Sequence, residues 1–387
     1  MMKNKNIINL SAITALLLSF SLAACTNSEM VEPTQEQQTS ISFSGSMPEG
    51  TAISRAEKGL EEVLDNKTFK VWSYKNTAVN GNDYTDYQAV MSGYTVDYET
   101  NISSTSNTHY WEYVGKGTNQ TIKYWDFSAY AYRFFGYALG NGTASPVTED
   151  DTDASKITFT TSVDCSSDAT MNVAPYFTEL WFSNDKVNDY GKVVTLKFLK
   201  PYARVRFLFT FVEGLNFGRE ELSKIKFYPT GLLDTPSIRT AGNVTVTYPL
   251  TGTGIKDTWN VEDIDPTDPT AGKLSAFTID WYEQPAAASL PAGVPADAEP
   301  TTWPNTPENW YYVLPATQGT YTVEVVVVDG KPKTATVPAE YMTWRAGYEY
   351  TYVFKVTESG DIEIDVIQVA VDQWAEAKTI NHEVYNW

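Results

Sequence analysis

The sequence predicts an all-β protein of antiparallel β-sandwiches in two domains, and three observations predict it. Apolar and aromatic residues recur with period two along most of the chain, which is the strand signature. Helical signals are few and short. No strand–helix alternation of the kind that builds parallel sheets occurs. The chain has 387 residues, 42% apolar and 14% aromatic, enough for packed cores. That length fits two domains, or three at most.

The first 24 residues read as an address rather than as fold. Lys3 and Lys5 precede an uncharged apolar run from Ile7 to Leu22, which closes in Leu22-Ala23-Ala24-Cys25. A charged start, a short apolar run and small residues before the cut describe a secretory signal. A Cys at the cut resembles a bacterial lipobox, so Cys25 is the candidate acylated residue. The run is at the short end for a membrane span. Thr26–Ser40, rich in Thr, Gln, Glu and Ser, reads as a tether. Ile41-Ser42-Phe43-Ser44 alternates as a short strand, and Met47-Pro48-Glu49-Gly50 breaks it. Arg55 and Ala56 follow in a polar segment.

The body then reads strand by strand. Thr68–Tyr74 alternates weakly, and Tyr124–Leu139 is aromatic-rich. Lys156–Val163 and Glu179–Phe182 are shorter. Val194, Leu196 and Phe198 share a face, and Pro201 interrupts. Val205, Phe207, Phe209 and Phe211 then share a face opposite Arg204 and Arg206. Tyr321, Val323, Val325 and Val327 line another face, and Asp329-Gly330 signals a tight turn into Lys333–Val337. Tyr348, Tyr350, Tyr352, Phe354 and Val356 form a further stripe, turned at Ser359-Gly360 into Asp361–Val371. A phase switch at Val366/Ile367 suits a β-bulge. Glu57–Asp65 and Gly218–Lys226 have short helical patterns. The least patterned joint, Asn184–Gly191, divides residues 56–190 from residues 191–387 as N-terminal and C-terminal sandwich domains. Two long loops stand out: acidic Asp257–Thr270 and proline-rich Gln284–Pro307.

Composition narrows the function. With 28 basic and 48 acidic residues the formal charge is −20, which argues against nucleic acid as a partner. Two Cys and two His build neither a Cys/His metal cluster nor a disulfide framework. No cofactor is expected. His109 and His382 read as structural or surface residues, and Cys165 as a semi-buried thiol. Gly-x-Ser-x-Gly is absent, and the glycines at Gly115–Gly117 and Gly252–Gly254 lie outside any strand–helix context of a phosphate loop. Asp263, Asp265 and Asp268 lack the spacing and the glycine of a calcium loop, and read as a solvated loop. The protein is therefore not expected to be an enzyme. Tyr110-Trp111, Trp303 and Trp310-Tyr311-Tyr312 are candidate sugar platforms, although most aromatics in a sandwich fill its core.

Taken in order, these residues resemble the fimbrillin-like lipoproteins of Bacteroidia, which include the subunits of type V pili. The resemblance rests on Leu22–Cys25, Ile41-Ser42-Phe43 followed by Arg55-Ala56, Phe69–Tyr74, and Tyr124-Trp125 leading into Phe127–Tyr130. It continues through Val194–Phe198 before Ala203-Arg204-Val205, then Trp344–Tyr350, Val369–Trp374 and the ending Asn381–Trp387. It implies two tandem transthyretin-like β-sandwich domains and a precursor anchored in the outer membrane by lipid on Cys25. It also implies an Arg-specific protease that cuts near the N-terminus, here after Arg55 and before Ala56, so that residues 25–55 form a leader with a removable strand. The opened groove would take the C-terminal strand of another pilus subunit. Thr379–Trp387 is the candidate donor, with Ile380, Val384 and Trp387 as anchors. Ile380, His382 and Val384 share one parity while Tyr385 and Trp387 share the other, and a tail that closes its own domain, as in a tip or capping subunit, is the alternative. A surface lipoprotein that binds host or bacterial glycans or proteins without polymerising is the other class of reading.

Overall fold

The computed structural model describes residues 39–46, 61, 64, 66–99, 110–141, 145–211, 223–279, 310–317, 319–326, 332–356, 362–363 and 370–373. Ile41–Trp387 make up one compact unit and Met1–Ser40 the other. In chain order the first strands are β1 (Phe43–Ser46), β2 (Thr68–Asn80), β3 (Asp83–Tyr98), β4 (Trp111–Glu112) and β5 (Ala131–Ala138). Next come β6 (Thr148–Asp150), β7 (Lys156–Asp164), helix α1 (Asp168–Val173), β8 (Tyr176–Thr178), β9 (Trp181–Ser183) and β10 (Val194–Leu199). The chain continues as β11 (Ala203–Phe211), β12 (Ser223–Pro229), β13 (Ile238–Arg239), β14 (Ala241–Pro249) and β15 (Thr258–Glu262). β16 (Lys273–Leu274), β17 (Phe277–Ile279), β18 (Tyr311–Val313), β19 (Ala316–Thr317) and β20 (Tyr321–Val326) follow. The last are β21 (Pro332–Val337), β22 (Thr343–Trp344), β23 (Tyr348–Val356), β24 (Ile362–Glu363) and β25 (Ala370–Gln373). The all-β expectation holds.

The N-terminal half curls its sheet shut. Strands pair in the order β2-β3-β4-β1-β10-β8-β5, β5 pairs back onto β2, and β9 lies alongside β5. Closure removes free edges, which is how a small barrel avoids sticking to other chains. Its interior is filled by Phe43, Phe69, Trp111, Tyr132, Phe134 and Leu196. The outside of β2 and β5 is buried as well, because β15-β14-β7-β6 form a second sheet against it. Phe69 and Val71 therefore point into the barrel, while Trp72 and Tyr74 pack on Phe159 and Tyr248 of the second sheet. This double burial explains why Thr68–Tyr74 alternates only weakly in sequence. Gly136 of β5 lets the backbones meet, since a Cβ there would stand 2.0 Å from the Lys70 carbonyl oxygen.

The C-terminal half is a two-layer sandwich. One layer is β18-β11-β23, extended by β24 and β25, and the other is β17-β12-β20-β21. Val205, Phe207, Val323, Val325, Tyr352 and Phe354 meet between them, so the stripes read from sequence face one core. The hairpin expected at Asp329-Gly330 pairs Tyr321 with Val337 and Val326 with Pro332.

Three expectations change. Gly218–Lys226 is not helical where it is described: Ser223–Pro229 is a strand held between β17 and β20, with Ile225 and Phe227 buried. Two apolar anchors at i and i+2, with partner strands on both sides, outweigh a short helical charge pattern. Part of the acidic loop, Thr258–Glu262, is the edge strand β15. The sheets are also not wholly antiparallel, for β1 runs parallel to β10 and β11 parallel to β23. Such neighbours need only a long connection, and here the connection is other strands rather than a helix. The phase switch at Val366/Ile367 and most of Glu57–Asp65 lie outside the described residues.

The barrel core ends at Phe198 and the sandwich core begins at Ala203. Strands on both sides of residue 190 nonetheless share sheets, since β10 belongs to the barrel and β14 pairs with β7 along Ala241–Pro249. The joint is pinned by Lys200, which is 7% exposed. Its Nζ donates to the carbonyls of Met171 (3.1 Å), Asn172 (3.4 Å) and Ala174 (2.7 Å) at the C-terminal end of α1. It also lies 3.8 Å from the centre of the Tyr176 ring. A cation suits a helix C-terminus, but burial pulls the Lys200 ammonium down from 10.5 to about 7. Above pH 7 the unfolded chain then binds the proton more tightly than the folded one, so stability rises with pH. The expected rise is about 1 kcal/mol per pH unit between pH 7 and 8.5. Above that range the buried Cys165 thiol, raised by burial, works in the opposite direction. Urea melts at pH 7 and 8.5 should show the rise in the native protein and lose it in Lys200→Met.

Candidate functional site

The site is the first strand and the slot that holds it. Ile41, Phe43 and Gly45 face inward while Ser44 lies on the half-exposed face, as the Ile-Ser-Phe-Ser-Gly alternation dictates. Ile41 and Phe43 are completely buried. On one side β1 pairs in parallel with β10, Phe43 opposite Val194 and Ser46 opposite Lys197. The Val194 amide donates to the Ser42 carbonyl at 2.9 Å, and the Ser44 and Thr195 hydroxyls meet at 2.9 Å. On the other side Phe43 pairs antiparallel with Trp111 of β4.

The floor of the slot is aromatic. The Phe43 ring sits edge-on to Phe69, Tyr113 and Phe134, with centroids 6.2, 5.9 and 5.8 Å away. Tyr113 clamps the entrance: its hydroxyl donates to the Ile41 carbonyl at 2.9 Å and accepts from the Lys123 amide at 3.0 Å. The Ile41 amide in turn donates to the Lys123 carbonyl at 2.8 Å. Burial raises the Tyr113 phenol well above its ordinary range, so it remains a donor at any physiological pH.

Without β1, β4 keeps only its pairs with Asp97 and Tyr98 of β3. β10 keeps only Phe198 and Leu199 against β8. The barrel would have two open edges flanking an apolar trough. Such an arrangement accepts a strand through main-chain hydrogen bonds and alternate side-chain anchors.

The lipidation residue Cys25, the cleavage pair Arg55 and Ala56, and the donor anchors Ile380, Val384 and Trp387 lie outside the described residues, as do His109, His382 and Trp303. The remaining aromatic candidates are mostly packed. Trp111 is 3% exposed against Phe69. Trp310 lies under the guanidinium groups of Arg204 and Arg206, 4.3 and 4.6 Å from its ring centre. Tyr311 packs on the C-terminal core, and Tyr312 meets Tyr202. Tyr110 alone among these is exposed, with its ring stacked on Tyr98 at 5.9 Å.

Each carboxylate of the acidic trio has a local task. Asp263 pairs with Arg239 at 2.9 Å and with Lys273 at 3.0 Å. Asp265 and Asp268 accept from the amides and hydroxyls of Thr267 and Thr270, and these hydrogen bonds hold both carboxyls below the usual range. Among the described residues no group of three His, Cys, Asp or Glu is placed to hold a metal. No helix among them is long and apolar enough to cross a membrane.

Sequence reasoning missed two features. The slot's second wall, β10, is not readable because its pairing with β1 spans most of the N-terminal half. An exposed aromatic cluster around Phe127 and Tyr130 lies inside the Tyr124–Leu139 run but is indistinguishable there from core residues.

No family model matches the chain, and no curated protein matches it. Solved structures do. One, provisionally named a cell adhesion protein from Bacteroides uniformis, is 13% identical, with 87% of this chain and 100% of that one covered and a TM-score of 0.37. Another of the same provisional name, from Bacteroides ovatus, is 13% identical over 88% of this chain and 99% of that one, with a TM-score of 0.35. A fimbrial assembly protein from Parabacteroides distasonis is 12% identical over 86% and 96%, with a TM-score of 0.31.

Proposed function

We propose that this protein is an adhesive surface lipoprotein that assembles into a fimbria by exchanging β1 for a strand of another subunit. One observation carries the reading: β1 is a stave of a closed barrel, fully buried at Ile41 and Phe43, yet joined to the next strand only through the stretch that contains Arg55. While that connection is intact, β1 is held at high effective concentration in its slot. A cut after Arg55 makes it a separate piece retained by few backbone pairs and its own apolar contacts. A competing strand at high local concentration then replaces it, and the acceptor slot and the donor strand are different segments of the chain. Such a contact is heterologous and propagates as an open filament.

In this reading lipid on Cys25 carries the precursor to the outer membrane, and an Arg-specific surface protease cuts between Arg55 and Ala56. Thr379–Trp387 of a neighbouring pilus subunit supplies the strand, with Ile380, Val384 and Trp387 as anchors. The work is docking rather than catalysis. Glycans or proteins on host or bacterial surfaces are the adhesion partners.

Lipid-free precursor treated with trypsin until cut after Arg55 should pass from monomer to polymer on size exclusion, and removal of Thr379–Trp387 should prevent this while leaving the thermal melt cooperative. A cut product that stays monomeric refutes the fimbrial reading. Loss of the cooperative melt on deletion assigns the tail to its own domain.

A further inference from the structure

The end of the barrel at which β1 begins carries an aromatic patch that the strand-exchange reading leaves unused. Phe127 and Tyr130 are each 46% exposed, and Val187, next in the chain to Lys186, is 84% exposed. Lys186 ties the two loops together, its Nζ donating to the Phe127 carbonyl at 2.8 Å and lying 5.8 Å from the centre of the Tyr130 ring. Phe127 rests on Tyr190, 6.0 Å between centroids, and Tyr190 stacks on buried Trp125. The patch is thus the outer rim of the barrel core.

Topology places this rim at the mouth of the slot. β5 and β10 are each antiparallel to β8, so they run the same way, and β1 runs parallel to β10. The Tyr124–Tyr130 segment leads into β5, the Asn184–Val193 loop leads into β10, and the chain enters β1 at Ile41, hydrogen-bonded to Lys123. All three strands therefore start at one pole.

A strand that takes the place of β1 must cross the same pole with its own flanking residues. The candidate tail, Thr379–Trp387, is longer than the slot and is preceded by Trp374. Inserted parallel to β10, as β1 is, it leaves Trp374 at this pole while Trp387 stays an anchor within the slot. In that direction an indole and the neighbouring Glu376 come to a rim that carries Lys186.

We propose that the Phe127–Tyr130–Val187 patch is the seat for the tryptophan that overhangs the strand donated by a second copy of this chain. This rests on the strand-exchange reading and deepens it: the slot reads the strand, and the rim reads its overhang. Aromatic pairs contribute binding energy beyond their buried area.

The test uses the full lipid-free chain cut after Arg55, alongside Phe127→Ser/Tyr130→Ser, Trp374→Ala and Trp387→Ala. The patch variant should melt like the native protein and polymerise at least about tenfold more slowly, the equivalent of ~1.4 kcal/mol. Trp374→Ala should match it, and combining that variant with the patch variant should add little, whereas Trp387→Ala, which removes a slot anchor, should add to it. Native protein that polymerises alongside an equally fast patch variant overturns the seat and leaves strand exchange standing. Native protein that never polymerises overturns both. A patch variant that polymerises normally but loses a glycan-array signal shown by the native protein makes the rim a sugar platform and likewise overturns the seat.

Discussion

Phe43→Ala is expected to destabilise the N-terminal barrel by about 3–5 kcal/mol, the usual cost of deleting a fully buried Phe side chain. Phe43 is wholly inaccessible to solvent and touches three aromatic rings, on β2, on β5 and just after β4, so the cavity cannot collapse without moving Phe69, Phe134 or Tyr113. Set against a typical total of 5–15 kcal/mol, this is a large share. Two measurements check it. Urea denaturation should show a lower midpoint with an unchanged slope. Hydrogen exchange should show the Val194 amide, bonded to the Ser42 carbonyl, losing protection before the C-terminal sandwich does. In cut protein the same substitution should speed the loss of β1. A cost below about 1 kcal/mol on the scale of surface substitutions would mean that β1 is not part of the core.

Glu349→Ala is expected to cost about 3–5 kcal/mol of stability in the C-terminal sandwich, the range for breaking a buried ion pair from one side. Glu349 and Arg204 face each other in the parallel register of β11 and β23. Arg204 Nε donates to the Glu349 carboxylate at 2.9 Å, a second guanidinium nitrogen donates to the same oxygen, and the two residues are 9% and 5% exposed. Removing the carboxylate leaves a guanidinium charge in a site built to neutralise it. Glu349→Gln, which keeps the shape and one acceptor, should cost clearly less. The Lys70–Glu149 pair supplies the contrast, because both side chains are about two-fifths exposed. Lys70→Ala should change stability by no more than about 1 kcal/mol. Equal losses for the two pairs would mean that burial is not what makes the Arg204 pair matter.

These two pairs also mark what the sequence reveals and what it hides. A strand with one buried face announces itself, as Tyr321-Val323-Val325 and Tyr350-Tyr352-Phe354 do. A strand buried on both faces does not, and Trp72 and Tyr74 look out of phase until the second sheet is seen against them. A short segment with mixed signals, Ser223–Pro229, takes the structure its neighbours impose. The strand at Ile41–Ser44 is readable as a strand, but its partners are not, because local periodicity carries no information about which distant segment lies alongside. For the same reason Arg204 reads only as the polar face of a stripe, and its partner 145 residues later is invisible. The cleavage and donor residues rest on resemblance alone. The slot between β4 and β10 could be found only from coordinates.

The pairing of Ser44 with Thr195 spans 151 residues, and β11 waits comparably long for β23. Contacts so remote in sequence close slowly, because the intervening chain must be ordered before they form. During synthesis from the amino end, neither hydrophobic interior can seal until its last stave has left the ribosome. The barrel therefore stays open until Leu199, about halfway along the chain, has been made, and the sandwich until β23 has. It also means that the strand made first is locked in last, against a partner that arrives after the rest of the barrel wall has been made.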